Sequence, residues 1–330
     1  MPFETGFPAR LSPLGAPVSR SGTIRLPSRL SLISMARMRL AVEHVRRMRG
    51  GAQAHLMRCD DGGYYVVKFQ NNPQHLRILA NEMLATRLAA RLGLCVPQAE
   101  VVEVRPELIS YTADLVMQLG IGRKPCSSGK QFGSQFPGDP AQMAVHDFLP
   151  DEQLLAVRNL SDFLGIFVFD KWTCNTNGRQ AIFFRDPEDG AGRSNGPMAD
   201  LAQAAGPGSA HTGFPYVAMM IDHGFCFNAG EWDFPDAPLR GLYPRHLVYQ
   251  SVDSMDAFEP WLERLENRFT EAVLGEEAER IPPEWYQDDW DALARLLDCL
   301  YARRKRVREL ILSARNSNRD PFPNWKVRHA

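Results

Sequence analysis

The chain has 330 residues, 44% of them hydrophobic and 23% charged, with a formal net charge of -1. That is material for one large or two medium domains with a substantial core, and no field across the whole molecule favours nucleic acid or an anionic membrane. No apolar run approaches the roughly 18 residues needed to span a bilayer, and the six cysteines (Cys59, Cys95, Cys126, Cys174, Cys226 and Cys299) include no C-x2-C pair, which argues against structural zinc and predicts reduced thiols in a cytoplasm.

Residues 1–36 are rich in Pro, Ser and Arg with Glu4 as their single acid, a composition that predicts a disordered leader outside the fold. Strands are expected over 41–48, 54–58 and 64–69. Gly50-Gly51-Ala52-Gln53 lies between the first two, and the turn Asp60-Asp61-Gly62-Gly63 between the last two. Asn72-Pro73 opens a helix that Gly93 closes, with Leu84, Leu88 and Leu92 as its apolar stripe and Glu82 on another face. Further strands over 98–104 and 109–117 would complete a five-stranded antiparallel lobe. Met117, Gln118, Leu119 and Gly120 then stand where a hinge crosses to a second lobe. Residues 121–141, rich in Gly, Ser, Pro and Lys, read as a connecting loop.

The second lobe opens helically at Asp151, and the stretch 160–169 is apolar almost all round, as in a helix buried on every side. It delivers Asp170. A ribbon of 181–184 with 217–221 follows, ending at Asp222, and the Gly-, Pro- and Asp-rich residues 185–214 between them are expected to be a mobile insertion. Helices over 258–274 and 288–312 come next. The second ends in five basic residues within 303–308, read as a solvated helix end favourable to the macrodipole. Residues 316–330 form a polar tail expected to fray. The expected organisation is thus an α+β, two-lobed chain: leader 1–36, nucleotide-binding lobe 37–120, catalytic lobe 121–315, tail 316–330.

The chemistry sits in Phe169-Asp170-Lys171-Trp172-Thr173-Cys174-Asn175 and Met220-Ile221-Asp222-His223-Gly224. An aspartate with asparagine five places on, and a later strand-end aspartate with glycine two places on, is the arrangement of kinase-type phosphotransfer enzymes. There the first aspartate orients the attacking hydroxyl, and the asparagine and second aspartate hold magnesium against the nucleotide phosphates. Lys68 on a strand and Glu82 midway along the next helix form the pair such enzymes use on the α- and β-phosphates. A Gly-Gly turn lets backbone N–H groups approach phosphate oxygens because glycine has no Cβ in the way.

On Gly50-Gly51-Ala52-Gln53, Tyr65-Val66-Val67-Lys68-Phe69, Asn81-Glu82, the run from Phe169 through Asn175 to Asn177, and the run Ile221-Asp222-His223-Gly224-Phe225-Cys226-Phe227-Asn228, residues 40–312 resemble a HipA-like kinase, of the protein-kinase-like and phosphatidylinositol-kinase-like superfamily. The resemblance implies a two-lobed protein-kinase-like fold using ATP and Mg2+. It implies that Lys68 contacts the nucleotide with Glu82 behind it, that Gly50, Gly51, Ala52 and Gln53 cover the phosphates, that Asp170 is the catalytic base, and that Asn175 and Asp222 bind the metal. Met117, Gln118 and Leu119 take the adenine-binding place.

The chain departs from eukaryotic kinases at several places. Val168-Phe169 stand where His-Arg precedes the aspartate, Trp172 replaces a lysine, and His223 replaces the phenylalanine after the second aspartate. Lys171 is assigned to the helix surface, and Cys174 and Cys226 to packing. The expected activity is phosphorylation of a hydroxyl acceptor, on a protein or a small molecule, with no nucleic-acid or membrane partner. The alternatives are a nucleotide-binding pseudokinase and an AMP-transferase using the same pocket.

Overall fold

The computed structural model describes residues 38–185 and 215–326. The expectations for the leader, for nearly all of the 185–214 insertion and for the last four residues lie outside the described residues.

Strands β1 (Arg39–Arg47), β2 (His55–Cys59) and β3 (Tyr64–Lys68) form the expected meander. Helix α1 (Ile78–Leu92) follows and is closed by Gly93 in the left-handed conformation, its N–H returning to the carbonyls of Ala89 and Ala90. Asn72 does not cap the helix. Its side chain accepts from Gln74 N at 2.9 Å and shapes the turn before it.

After β4 (Ala99–Val104) the chain departs from expectation. Residues 109–117 are not a strand: Pro106 at the first helical position and Glu107 in the first turn begin a short helix, α2 (Pro106–Tyr111). A two-stranded hairpin follows, β5 (Val116–Leu119) with β6 (Gly122–Pro125). The fifth strand of the lobe is β7 (Gly129–Gln135), inside the stretch expected to be a loop. It inserts between β3 and β4, antiparallel to both, and β1 closes the sheet on β4 in parallel. The result is a closed five-stranded barrel in the order β1-β2-β3-β7-β4. Gly, Ser, Lys and Gln give β7 little strand propensity. Its glycine has a steric reason, since a Cβ on Gly133 would stand 2.5 Å from Val102 Cγ2.

The second lobe contains β8 (Val145–His146), α3 (Asp151–Leu155), α4 (Asp162–Thr173), β9 (Gln180–Arg185) and β10 (Tyr216–Ile221). It continues with α5 (Glu259–Arg268), α6 (Glu271–Ala278), α7 (Trp290–Arg303) and α8 (Val307–Arg315). Every residue of α4 is buried, as its all-round apolarity requires. Strands β9 and β10 pair in register from Gln180 opposite Ile221 to Arg185 opposite Tyr216.

The expected helix 258–274 is two, α5 and α6, parted at Phe269 and Thr270, where the Thr270 side chain caps α6. The basic run is solvated only in part, with Lys305, Arg306 and Arg308 exposed. Arg303 and Arg304 are buried, and Arg303 donates to the Lys171 carbonyl at 3.0 Å and to Asp236. In the tail, Phe322 is 1% exposed and packs edge-on against Phe167 and Tyr249, so the chain is held at least that far.

Candidate active site

Three distant parts of the sequence meet between the lobes. Lys68, the last residue of β3, points its ammonium at Glu82 of α1 and, at 2.8 Å, at Asp222 Oδ1 just past β10. Glu82 also accepts from two backbone N–H groups, His223 at 3.1 Å and Gly224 at 2.8 Å. One carboxylate thus ties the first lobe's helix to the turn that follows the second lobe's ribbon.

The electrostatics follow from burial and pairing. Burial works to lower the Lys68 pKa, but Glu82 and Asp222 outweigh it and hold the lysine protonated. Burial pushes Glu82 up, with the Asp222 charge adding to it against the pull of Lys68. Asp222 is also disfavoured as an anion by burial, yet Lys68 beside it holds its pKa below the ordinary carboxylate value. With 18% of its side chain exposed, Asp222 is the carboxylate of the trio that opens toward solvent.

Asn81, one residue before Glu82, shapes the same turn. Its amide donates to the carbonyls of Gly224, Cys226 and Ala229 at 2.7–2.9 Å, and its oxygen accepts from Trp232 Nε1 at 2.7 Å. That turn holds Phe227, Asn228 and Ala229 at positive φ, a backbone that L-residues adopt only when their surroundings enforce it. Gly224 is needed here because a Cβ would stand 2.9 Å from Glu82 Oε1. His223 is buried against Phe169, and burial drives its pKa well below the usual histidine value.

The pair read as base and metal ligand is placed differently. Asp170 lies inside the last turn of α4 with its side chain wholly buried. Arg179 grips both its oxygens, through Nε at 3.0 Å and through Nη2, while Asn175 Nδ2 donates to Oδ1 at 3.1 Å. Gly241 is packed so closely over it that a Cβ there would lie 2.8 Å from Asp170 Cβ. Both oxygens of Asp170 are thus occupied by Arg179 and Asn175 in this structure. Asn175 is 2% exposed and its oxygen accepts from Asn177 N at 3.1 Å. Sequence reasoning missed Arg179; the signal was an arginine beside a buried acid at the end of an apolar helix.

Lys171 is not on the surface. It is 3% exposed and donates to the carbonyls of Pro238 and Arg240, and burial pulls its pKa down to about 8. Trp172 fills the core and donates to the Leu300 carbonyl at 2.8 Å. Cys174 and Cys226 are buried packing residues, as expected.

The glycine loop is a turn closed by Gln53 N on the Gly50 carbonyl at 3.2 Å, with Gly50 at φ +109°. Its far side is latched. Ala52 O accepts from Asn72 Nδ2 at 2.8 Å, and the Gln53 amide pairs with both the N–H and the carbonyl of Gln118 at 2.7 and 2.9 Å. Gln53 is therefore occupied by the β5–β6 hairpin.

Met117, Gln118 and Leu119 lie in that hairpin and do not form the crossing between lobes. Met117 is buried in the barrel core, Gln118 holds Gln53, and Leu119 is half-buried. The crossing leaves the end of β7, where Phe136 N bonds the Tyr64 carbonyl at 2.8 Å.

Among the described residues no group of three His, Cys, Asp or Glu is disposed to hold a metal ion, and no helix is long and apolar enough to cross a membrane.

Residues 41–181 match the family model described as HipA-like kinase. Among solved structures the chain is similar to the Golgi casein kinase (TM-score 0.45, 13% identity, 84% of this chain and 74% of that one). It is also similar to the Golgi casein kinase with Mn/ADP bound (TM-score 0.42, 14% identity, the same shares). No curated protein sequence matches the chain. The matched segment carries Lys68, Glu82 and the buried helix α4, and the chain is of the kinase type of phosphotransferase.

Proposed function

We propose that this chain transfers the γ-phosphoryl group of ATP to a hydroxyl acceptor, with a protein as the acceptor class, and uses Mg2+. The observation that carries this is the convergence of Lys68, Glu82 and Asp222 from β3, α1 and the end of β10. A buried lysine held between two carboxylates costs desolvation, and a protein that needed only packing at this point would fill it with apolar groups. Lys68 would bind the nucleotide phosphates and Glu82 would fix its direction. The N–H groups of Gly51 and Ala52, which make no hydrogen bond among the described residues, would cover the phosphates from above.

The metal fits this site with Asp222 as its protein ligand. Mg2+ is commonly held by one or two carboxylates together with substrate phosphates and water, and Asp222 is the more open acid of the two beside Lys68, with its pKa held down by that lysine. When bound, the metal supplies charge stabilisation at the phosphates. Asp170 and Asn175 are not assigned to base or metal in this proposal, because both side chains are sealed. A loose phosphoryl-transfer transition state asks chiefly for positioning and electrostatics, so it does not require that base.

The sealing of Asp170 favours one second reading, in which the chain binds nucleotide without transferring its phosphate. One experiment decides between them: transfer of labelled γ-phosphate from ATP to the chain and to added protein acceptors, with and without Mg2+, beside Lys68→Met. Phosphotransfer predicts Mg2+-dependent label that falls about 100-fold or more in the variant. Nucleotide binding with no label above the variant's would overturn it in favour of the second reading.

A further inference from the structure

Arg264 and Arg268 stand one turn apart on α5 and are cations that the proposed chemistry leaves unused. Both reach the C-terminal end of α1: a Cβ on Gly93 would stand 3.4 Å from Arg264 Nη1 and 3.7 Å from Arg268 Nη1. Arg268 donates to the Arg91 carbonyl at 3.2 Å, a partner that supplies only the partial charge of a helix end. Arg264 lies over the Trp261 ring, 4.6 Å from its centroid. The acid its charge acts on, Asp162, is buried and already accepts from Cys95 N at 3.0 Å and Asn159 Nδ2 at 2.8 Å. Neither arginine makes an ion pair among the described residues. Their neighbours on α1 do: Arg87 and Arg91 are both taken by Glu277, and Arg91 also by Glu276 at 2.9 Å.

The two unpaired cations line a groove of about 1830 Å³, whose walls come from α1, α5, residues 93–99, the stretch 135–146 and the ribbon of β9 and β10. A third cation, Arg185 at the end of β9, lines it from the ribbon, exposed and stacked over Tyr216 at 4.7 Å. Much of the remaining lining is apolar, with Val96 and Met143 half-buried. Lys68, Glu82, Asp170, Asp222 and residues 50–53 take no part in it, so the groove is separate from the site described above.

Size and charge together select the ligand. Small-molecule sites commonly measure about 300–1,000 Å³; this groove is larger, and its free cations sit on two elements, which suits an extended chain. A nucleic-acid backbone asks for a series of cations along its track, whereas here Asp139 and Glu277 share the lining with the arginines. Arginine beside methionine and aromatic rings is instead the composition of a protein-binding surface.

We propose that this groove docks an acidic segment of a protein acceptor, with its carboxylates on Arg264, Arg268 and Arg185 and its apolar side chains on Val96 and Met143. The proposal deepens the reading given above and rests on the acceptor being a protein. A docked acceptor raises the effective concentration of its hydroxyl at the Lys68–Asp222 site without any new contact there.

The test uses the full chain as wild type, as Arg264→Gln with Arg268→Gln, and as Arg185→Gln, which lies on a different element. Binding of a fluorescein-labelled peptide rich in Glu with interspersed Leu is followed by anisotropy, beside its Gln-for-Glu counterpart. The wild type should bind the Glu peptide, more weakly as salt rises, and should not bind the counterpart. Affinity should fall about 10-fold in the double variant and about 3-fold in Arg185→Gln, while binding of a fluorescent ADP stays at the wild-type level in both. When the Glu peptide is joined by a Gly/Ser linker to a Ser-containing segment, KM for phosphotransfer should rise about 10-fold in the double variant at unchanged kcat. Peptide binding to the arginines with no transfer to any acceptor would leave the groove standing and sink the phosphotransfer reading. No binding to the wild type, equal binding of the counterpart, or variants that bind as the wild type does would overturn the groove. So would tighter binding of a fluorescent oligothymidylate, which would assign the groove to nucleic acid, or a matching loss of ADP binding in the variants.

Discussion

Replacing Gly241 by alanine tests how tightly the site is closed over Asp170. Gly241 has φ +75°, and a Cβ would stand 2.8 Å from Asp170 Cβ, 3.2 Å from its Cγ and 3.4 Å from Asn175 Cβ. The left-handed backbone costs an alanine about 1–2 kcal/mol. The contact adds an overpacking penalty of about 1–3 kcal/mol, because Asp170 cannot retreat while Arg179 and Asn175 hold it. Loss of freedom in the unfolded chain returns about 0.4–1 kcal/mol. The net expectation is a destabilisation of about 1–4.5 kcal/mol. It is read as a lowered urea midpoint at constant m-value, beside Gly275→Ala in α6, where nothing lies within 4 Å of the new Cβ. That control should gain about 0.5–1 kcal/mol from helix propensity. If both variants shift alike, the packing of residue 241 on the buried acid is refuted.

Two further expectations concern buried charge. Asp170→Asn strands the Arg179 guanidinium in a site where neither side chain is exposed, which should cost about 3–5 kcal/mol. The double variant Asp170→Asn with Arg179→Gln should recover part of that loss. Strict additivity in urea titrations would show that the two groups do not act as a pair. His55, buried beside His44 and Cys126, has its pKa lowered to about 4, chiefly by burial. The folded state therefore binds this proton less readily than the unfolded one, so stability is at its full value above about pH 6.5 and falls as the pH drops toward 4. The fall from this group is about 3 kcal/mol. His55→Leu should flatten the curve in that window, and an unchanged slope would show that the imidazole is not the group responsible.

The fold was legible where local chemistry and tertiary structure agree. The meander, the helix closed by Gly93 and the apolar helix α4 follow from turn residues and periodicity. Strand β7 was not legible, because its glycine is there for a contact with Val102, which is distant in sequence. Missing it moved the interlobe crossing to Met117, Gln118 and Leu119, which belong to a hairpin.

At the site, Lys68 and Glu82 are paired as the sequence suggested, and Asp222, read from the sequence as sharing a metal with Asn175, meets the same lysine. Spacing placed Asp170 and Asn175 at the end of the apolar helix but carries no information about burial, and both side chains are buried. Only the structure shows that Arg179, nine residues on from Asp170, returns to occupy it.

The most direct test of the central claim is binding of a fluorescent ADP to the wild type and to Asp222→Asn, each with and without Mg2+. The account predicts that Mg2+ tightens binding to the wild type and that Asp222→Asn loses this gain while keeping the metal-free affinity that Lys68 supplies. A wild type indifferent to Mg2+, or a variant that keeps the whole metal-dependent gain, would contradict it.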